Sequence, residues 1–247
     1  LKIEKENTYI KYNETDVYRY NLSIKCRDII LKRIIYKFIS LVQELILRTS
    51  YFLCKLVSTK RNKNISWVIG VSEISSTLYF LGNVLKPSTT VCLDKNPFYK
   101  LKYSFSINIS NRYFKFIYNI FYAPTLLGYL MNKNTHFLYI WHTGFLLNRD
   151  NEFKFLKSKD KKIVCIFLGS DIRSPKLSLE YTQDKKIDNF ISYTKNSKQI
   201  LKEDKKSKVI SESADKYSDL IFSFKLDQIS YIENKQIPWT YMYPKNR

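Results

Sequence analysis

The stretch Ile163-Val-Cys-Ile-Phe-Leu-Gly-Ser-Asp-Ile-Arg173 joins a short apolar run to an abruptly polar turn. Its first half holds β-branched and aromatic residues and follows the charged segment Lys159–Lys162. A strand buried on both faces of a parallel sheet reads this way, as an apolar block instead of an alternation. The second half opens at Gly169 and presents a hydroxyl, a carboxylate and a guanidinium at Ser170, Asp171 and Arg173. In open α/β sheets, ligands sit outside the carboxyl ends of the strands, where such a turn lies. The stretch therefore predicts a fold class and the place of a site together.

Outward from it, the same rhythm repeats. Further strands are expected near residues 65–69, 90–93, 136–141 and 220–224, separated by helical stretches. Short apolar runs alternating with longer helical ones imply βαβ units. The expected fold is α/β: a Rossmann-like, mostly parallel sheet with helices on both faces. A helix is predicted over Ile74–Leu85 with Ser72 as its N-cap, and another over Asn96–Asn134, interrupted near Pro124. The aromatic residues Tyr113, Phe114, Phe116, Tyr118, Phe121 and Tyr122 of that second helix read as core. His142-Thr-Gly-Phe-Leu-Leu is expected to open a short helix, and Asp227 to start another. The lysine-rich run Lys202–Lys208 is interspersed with acids, as on a solvated helix face.

Before the sheet, Ser23–Val57 is an amphipathic helical segment. Leu31, Ile34, Ile35, Phe38, Leu41, Val42, Leu45 and Ile46 recur at spacings of three and four, while Arg33, Lys37, Glu44, Arg48 and Lys55 step along another face. Such a helix either packs on its own domain or lies on an anionic membrane surface. With the polar break Thr59–Asn64 as linker, the chain divides into a basic helical segment, 1–62, and a Rossmann-like domain, 63–247.

The 247 residues are 45% hydrophobic and 16% aromatic, a globular balance. The net charge of +20 asks for an anionic partner, although a general richness in Lys, Asn, Ile and Tyr accounts for part of it. Cys26, Cys54, Cys92 and Cys165 lie far apart, so neither a zinc site nor a disulfide framework is indicated. The expected setting is cytoplasmic, either free or peripheral at the inner face of the cell membrane. No segment has the roughly 18 charge-free apolar residues of a membrane span.

Three turns follow predicted strands and so share one rim of the sheet: Gly70-Val-Ser72-Glu73, His142-Thr143-Gly144 and Gly169–Arg173. None is a Gly-x-Gly-x-x-Gly fingerprint or a P-loop. Asp171 can accept from sugar hydroxyls and Arg173 can clamp a phosphate through its planar fork. Against these roles stand structural ones: an Asp171–Arg173 pair that pins its own loop, Ser170 or Asp171 as a helix cap, and His142 as a satisfied residue beside Trp141.

The ordered set Trp67-Val-Ile-Gly-Val-Ser, His136-Phe-Leu-Tyr-Ile-Trp-His-Thr-Gly-Phe-Leu-Leu, Ile163–Arg173, Ala214-Asp-Lys-Tyr-Ser-Asp-Leu-Ile and Ile237-Pro-Trp-Thr-Tyr-Met-Tyr-Pro resembles the N-terminal half of bacterial GT-B glycosyltransferases. The resemblance runs from about Asn64 to the end, and Gly169–Arg173 is its most specific part. It implies transfer of a sugar from a nucleotide-sugar to a glycan or lipid-linked acceptor, without cofactor or metal. His142 and Asp171 would be catalytic, and Gly70, Ser72, Glu73, Thr143, Gly144, Gly169, Ser170 and Arg173 would bind substrate. In such enzymes the nucleotide-sugar sits mainly in a second domain, which the resemblance places beyond Arg247. This chain alone is therefore expected to be inactive. The family also commonly carries a histidine before the Gly-Ser-Asp-Ile-Arg turn, where this chain has Leu168. The rival expectation is a non-catalytic, basic Rossmann-like module that binds a phosphorylated ligand. Nucleic acid ranks behind both, because the aromatics read as buried.

Overall fold

A computed structural model of the chain describes residues 14–57, 64–94, 101–107, 109, 111–185, 196–224, 229–233 and 236–239. Of the expected linker Thr59–Asn64 only Asn64 falls among these residues, and the 62/63 boundary and a helix start at Asp227 lie outside them. The chain divides into two compact units, Leu1–Leu41 and Val42–Arg247. Helix α1 spans Glu14–Val57. Its residues Leu31, Ile34, Ile35, Phe38 and Leu41, in the first unit, are exposed.

The second unit is built on seven strands: β1 (Trp67–Ser72), β2 (Ser88–Asp94), β3 (Phe105–Ser106), β4 (His136–Ile140), β5 (Lys162–Ile166), β6 (Leu220–Ser223) and β7 (Gln236–Pro238). They form one sheet in the order β3-β2-β1-β4-β5-β6-β7, and every pairing is parallel. The expected α/β Rossmann-like sheet is thus present. Between β1 and β4 the direction of winding reverses, and in open parallel sheets ligands bind outside the carboxyl ends of the strands at such a reversal.

Alternation along each strand sorts the core into two layers. Val68, Phe137, Tyr139, Ile163 and Cys165 face one layer; it also holds Leu47 of α1, Leu127 of α3 (Arg112–Lys133), Phe153 of α4 (Arg149–Lys157) and Ala214 of α6 (Ser197–Tyr217). Ile69, Leu138, Ile140, Val164 and Ile166 face the other, with Leu78 and Leu81 of α2 (Thr77–Val84). Helices cover both faces, as a sheet apolar on both sides requires.

Several local expectations are corrected. β1 does not stop at Ile69 but runs to Ser72, so Gly70 lies inside the strand and not in a turn. A Cβ there would come within 2.9 Å of the Val91 carbonyl oxygen on β2, which only glycine avoids. α2 is not capped by Ser72. Its first turn is closed by Glu73, whose carboxylate accepts from the N–H groups of Leu78 and Tyr79, both at 3.1 Å. The stretch read as one long helix from Asn96 contains β3, and α3 begins only at Arg112, capped by the Asn111 side chain. Pro124 does not interrupt α3. The buried residues Ala123, Leu126, Leu127, Leu130 and Met131 flank it, and their packing outweighs one missing N–H. The aromatics in the first half of α3 are not core: Tyr113, Phe114, Phe116, Tyr118 and Phe121 are exposed. After β4 no helix opens at His142; α4 starts at Arg149 under an Asn148 cap. Neither Ser170 nor Asp171 caps α5 (Pro175–Asp184): Ser174 does, accepting from Leu177 N.

Candidate functional site

Strand ends deliver the candidate residues. Beyond β1 and β4, at the reversal point, the hydroxyls of Ser72 and Thr143 are hydrogen-bonded to each other at 2.5 Å. Trp141, the residue after β4, has a left-handed conformation, φ 71°, that few non-glycine residues adopt. It is held from below by Arg149, a buried side chain that donates to the Trp141 carbonyl at 3.4 Å and to Cys165 Sγ at 3.0 Å. The Arg149 guanidinium lies 4.6 Å from the centre of the Phe153 ring, so aromatic faces share its charge.

A cavity of about 290 Å³ opens beside this corner. Trp141 and His142 line it from β4, Ser170, Asp171 and Arg173 from β5, and Glu203, Lys206 and Ser207 from α6. His142 accepts at Nε2 from the Lys206 ammonium, 3.1 Å away. That bond requires a neutral imidazole with its proton on Nδ1, and Nδ1 is buried without a partner. Burial, then the charges of Lys206 and Arg149, push the His142 pKa down to about 4. His142 is therefore a neutral donor at pH 7.

Asp171 complements it. Its Oδ1 accepts from Gly169 N at 3.1 Å, while Oδ2 is buried without a partner. Burial pushes its carboxyl up to about 6, and backbone N–H groups of the Gly169 turn offset part of that rise. A carboxylate raised towards neutral pH, in a residue that lines a cavity and keeps one buried oxygen unpartnered, is a candidate to accept a proton from a hydroxyl. Arg173 from the β5 side and Lys206 from α6 add two cations to the cavity, beside the carboxylates of Asp171 and Glu203, and cations so placed can receive a phosphate or carboxylate.

The structure thus brings His142, Ser170, Asp171 and Arg173 into one cavity, with Gly169 bonded to Asp171, and sets Ser72 and Thr143 together at the neighbouring reversal point. It does not bring Gly70, Glu73 or Gly144 there. Gly70 lies within β1, and Glu73 is buried as the α2 cap, also accepting from Tyr103 at 2.9 Å. A Cβ on Gly144 would meet Glu152 Oε2 at 2.5 Å, so this glycine lets its loop close over a buried carboxylate. Leu168 packs in the apolar layer with Ile140 and Ile166.

The α6 wall was not foreseen. Asp204, Ser207, Ser211 and Ala214 face inward at spacings of three and four, a stripe too small and polar to register as a buried face. Asp204 anchors it, accepting from Tyr231 at 2.9 Å and from Ser174, the α5 cap. The spacing of these small residues against the flanking lysines was the available signal.

Among the described residues, no group of three His, Cys, Asp or Glu side chains is placed to hold a metal ion. No described helix is long and apolar enough to cross a membrane. No protein-family model, curated protein or solved structure matches the chain.

Proposed function

We propose that this chain is the acceptor-binding half of a GT-B-type glycosyltransferase, moving a sugar from a nucleotide-sugar to a glycan or lipid-linked acceptor. The supporting observation is the cavity outside β4 and β5, lined by Asp171, whose buried Oδ2 has no partner, together with Arg173, Lys206 and neutral His142. In this reading Asp171 takes the proton of the attacking acceptor hydroxyl. That oxygen bonds to the anomeric carbon, and the nucleotide leaves with the electron pair of the broken bond. His142 donates from Nδ1 to an acceptor oxygen, and Arg173 and Lys206 hold an anionic group of the acceptor. Ser72 and Thr143 offer hydroxyls to the sugar at the reversal point. The reading carries a cytoplasmic location and needs no metal.

A second reading, a non-catalytic module for a phosphorylated ligand, rests on a specific observation. Leu168 stands where the resembled family carries histidine, and Lys206 occupies the lone pair through which His142 would act as a base. Titration of the chain with neutral and phosphate-bearing oligosaccharides, followed by NMR, separates the two. The acceptor reading expects binding to neutral sugar hydroxyls, weakened about tenfold to a hundredfold by Asp171→Asn. Binding that follows phosphate alone, is lost in Arg173→Gln and is unmoved by Asp171→Asn selects the second reading.

A further inference from the structure

From Val42 onward, α1 packs on the sheet body through a mixed stripe in which Gln43 and Ser50 are buried beside Leu47 and Tyr51. Gln43, 2% exposed, donates to the Asn119 carbonyl at 3.3 Å and accepts from Leu147 N at 2.8 Å. Ser50 lies buried beside the Pro124 carbonyl, and Asn132 donates to the Tyr51 carbonyl at 3.0 Å. Helix α3 can approach this closely because residue 128 is glycine: a Cβ there would meet Ser50 Oγ at 2.0 Å. Away from this contact, Leu45, Phe52 and Leu56 are 66%, 59% and 66% exposed. A helix at a protein–water boundary ordinarily keeps its large apolar residues inward and its polar ones outward.

The first half of α3 shares the anomaly, with Tyr113, Phe114, Phe116, Ile117 and Phe121 exposed. Leu53, Cys54 and Val57 of α1 line an apolar groove of about 460 Å³ with Tyr129 and Lys133 of α3. Large apolar side chains gathered on one helix pair mark a contact surface.

Charge selects what it contacts. Between Val42 and Val57 the charged residues are Glu44, Arg48 and Lys55; Glu44 and Arg48 offset each other in an ion pair of 2.6 Å, which leaves Lys55 as the net charge. Helix α3 contains Arg112, Lys115 and Lys133 and no acid. A second copy would set cations against cations, whereas anionic headgroups would neutralise them. Aromatic and aliphatic side chains interleaved with lysine and arginine suit the headgroup boundary of a bilayer. We infer that the α1–α3 pair is a membrane-docking face, lying in the interface of an anionic bilayer instead of crossing it. The inference is independent of the reaction assigned to the cavity.

The test is cosedimentation with phosphatidylcholine vesicles with and without phosphatidylglycerol. The chain should partition more strongly as phosphatidylglycerol rises and less as salt rises. Replacing Leu45, Phe52 and Phe114 together by Gln should cut partitioning about a hundredfold with little change in the melting temperature, because these side chains are mostly exposed and none belongs to the buried core. Lys55→Gln with Lys115→Gln should weaken binding only where phosphatidylglycerol is present. As a check that does not depend on a multiple variant, Phe52→Trp should add a fluorophore whose emission shifts to the blue on adding anionic vesicles. Equal partitioning of the native and apolar-depleted chains, or unchanged emission from the introduced indole, overturns the inference. So does a native dimer in light scattering that the Gln variant dissolves while neither form binds vesicles, since a second copy would then be the occupant.

Discussion

Replacing Asp171 by Asn should make the protein more stable at neutral pH while impairing its site. The carboxyl is buried, its Oδ2 has no partner, and its pKa stands at about 6 against an ordinary 3.8. The gap corresponds to about 3 kcal/mol between the protonated and charged forms. Between these two values the folded chain keeps the proton that the unfolded chain has lost. Folding stability contributed by the group therefore falls as pH rises from about 4 to about 6, and stays low above. Asn cannot ionise and still presents an Oδ1 to the Gly169 N–H. The variant should match the native chain at pH 4 and exceed it by up to ~3 kcal/mol at pH 7. Urea unfolding of both forms from pH 4 to 8 measures this, and the difference between them cancels slopes that other groups contribute, His142 included. A variant that is less stable at pH 7 would show that Asp171 is held by bonds stronger than its burial cost, and the account of a poised carboxylate would fail.

The electrostatics of His142 give a second prediction. Lys206→Gln removes one of the two cations that depress it, so its NMR titration should move up from about 4 but stay below 6.5, since burial is the larger cause. Because the folded pKa is depressed, the contribution of His142 to stability should fall as pH drops from 6.5 towards 4, opposite in sign to that of Asp171, and the native-minus-variant difference isolates it; an unmoved titration refutes the Lys206–His142 contact. At the α1–α3 crossing, Gly128→Ala places a methyl 2.7 Å from the backbone Tyr51 N, which cannot swing away. It should cost about 1–3 kcal/mol in urea unfolding, against the usual preference of helices for alanine.

How far the site was legible follows from where each signal resides. Ile163–Ile166 and His136–Ile140 are apolar enough on both faces that only a central strand can use them, and the polar turns that follow had to fall at strand ends. That reasoning found His142, Ser170, Asp171 and Arg173 together. It did not foresee the places of Gly70, Glu73 and Gly144 away from that cavity, because a glycine or an acid beside a strand end serves backbone packing and helix capping as readily as a ligand. It failed again for α6, whose inward stripe of Asp204, Ser207 and Ser211 lacks the bulk by which a buried face is recognised in a sequence.

The order of apolar blocks in this chain was sufficient to determine a parallel α/β sheet, since burial on both faces leaves an extended apolar segment few alternatives. Only the tertiary structure decided which side of α1 and α3 meets the body. Periodicity reports that a helix has two faces, but not which one finds a partner. Here Gln43, Ser50 and Asn132 found hydrogen bonds inside, and Leu45, Phe52 and Phe116 were left outside. Ionisation was decided there too. The depressed His142 and the raised Asp171 arise from burial and from Lys206, 64 residues along the chain from His142, and no local pattern encodes those distances.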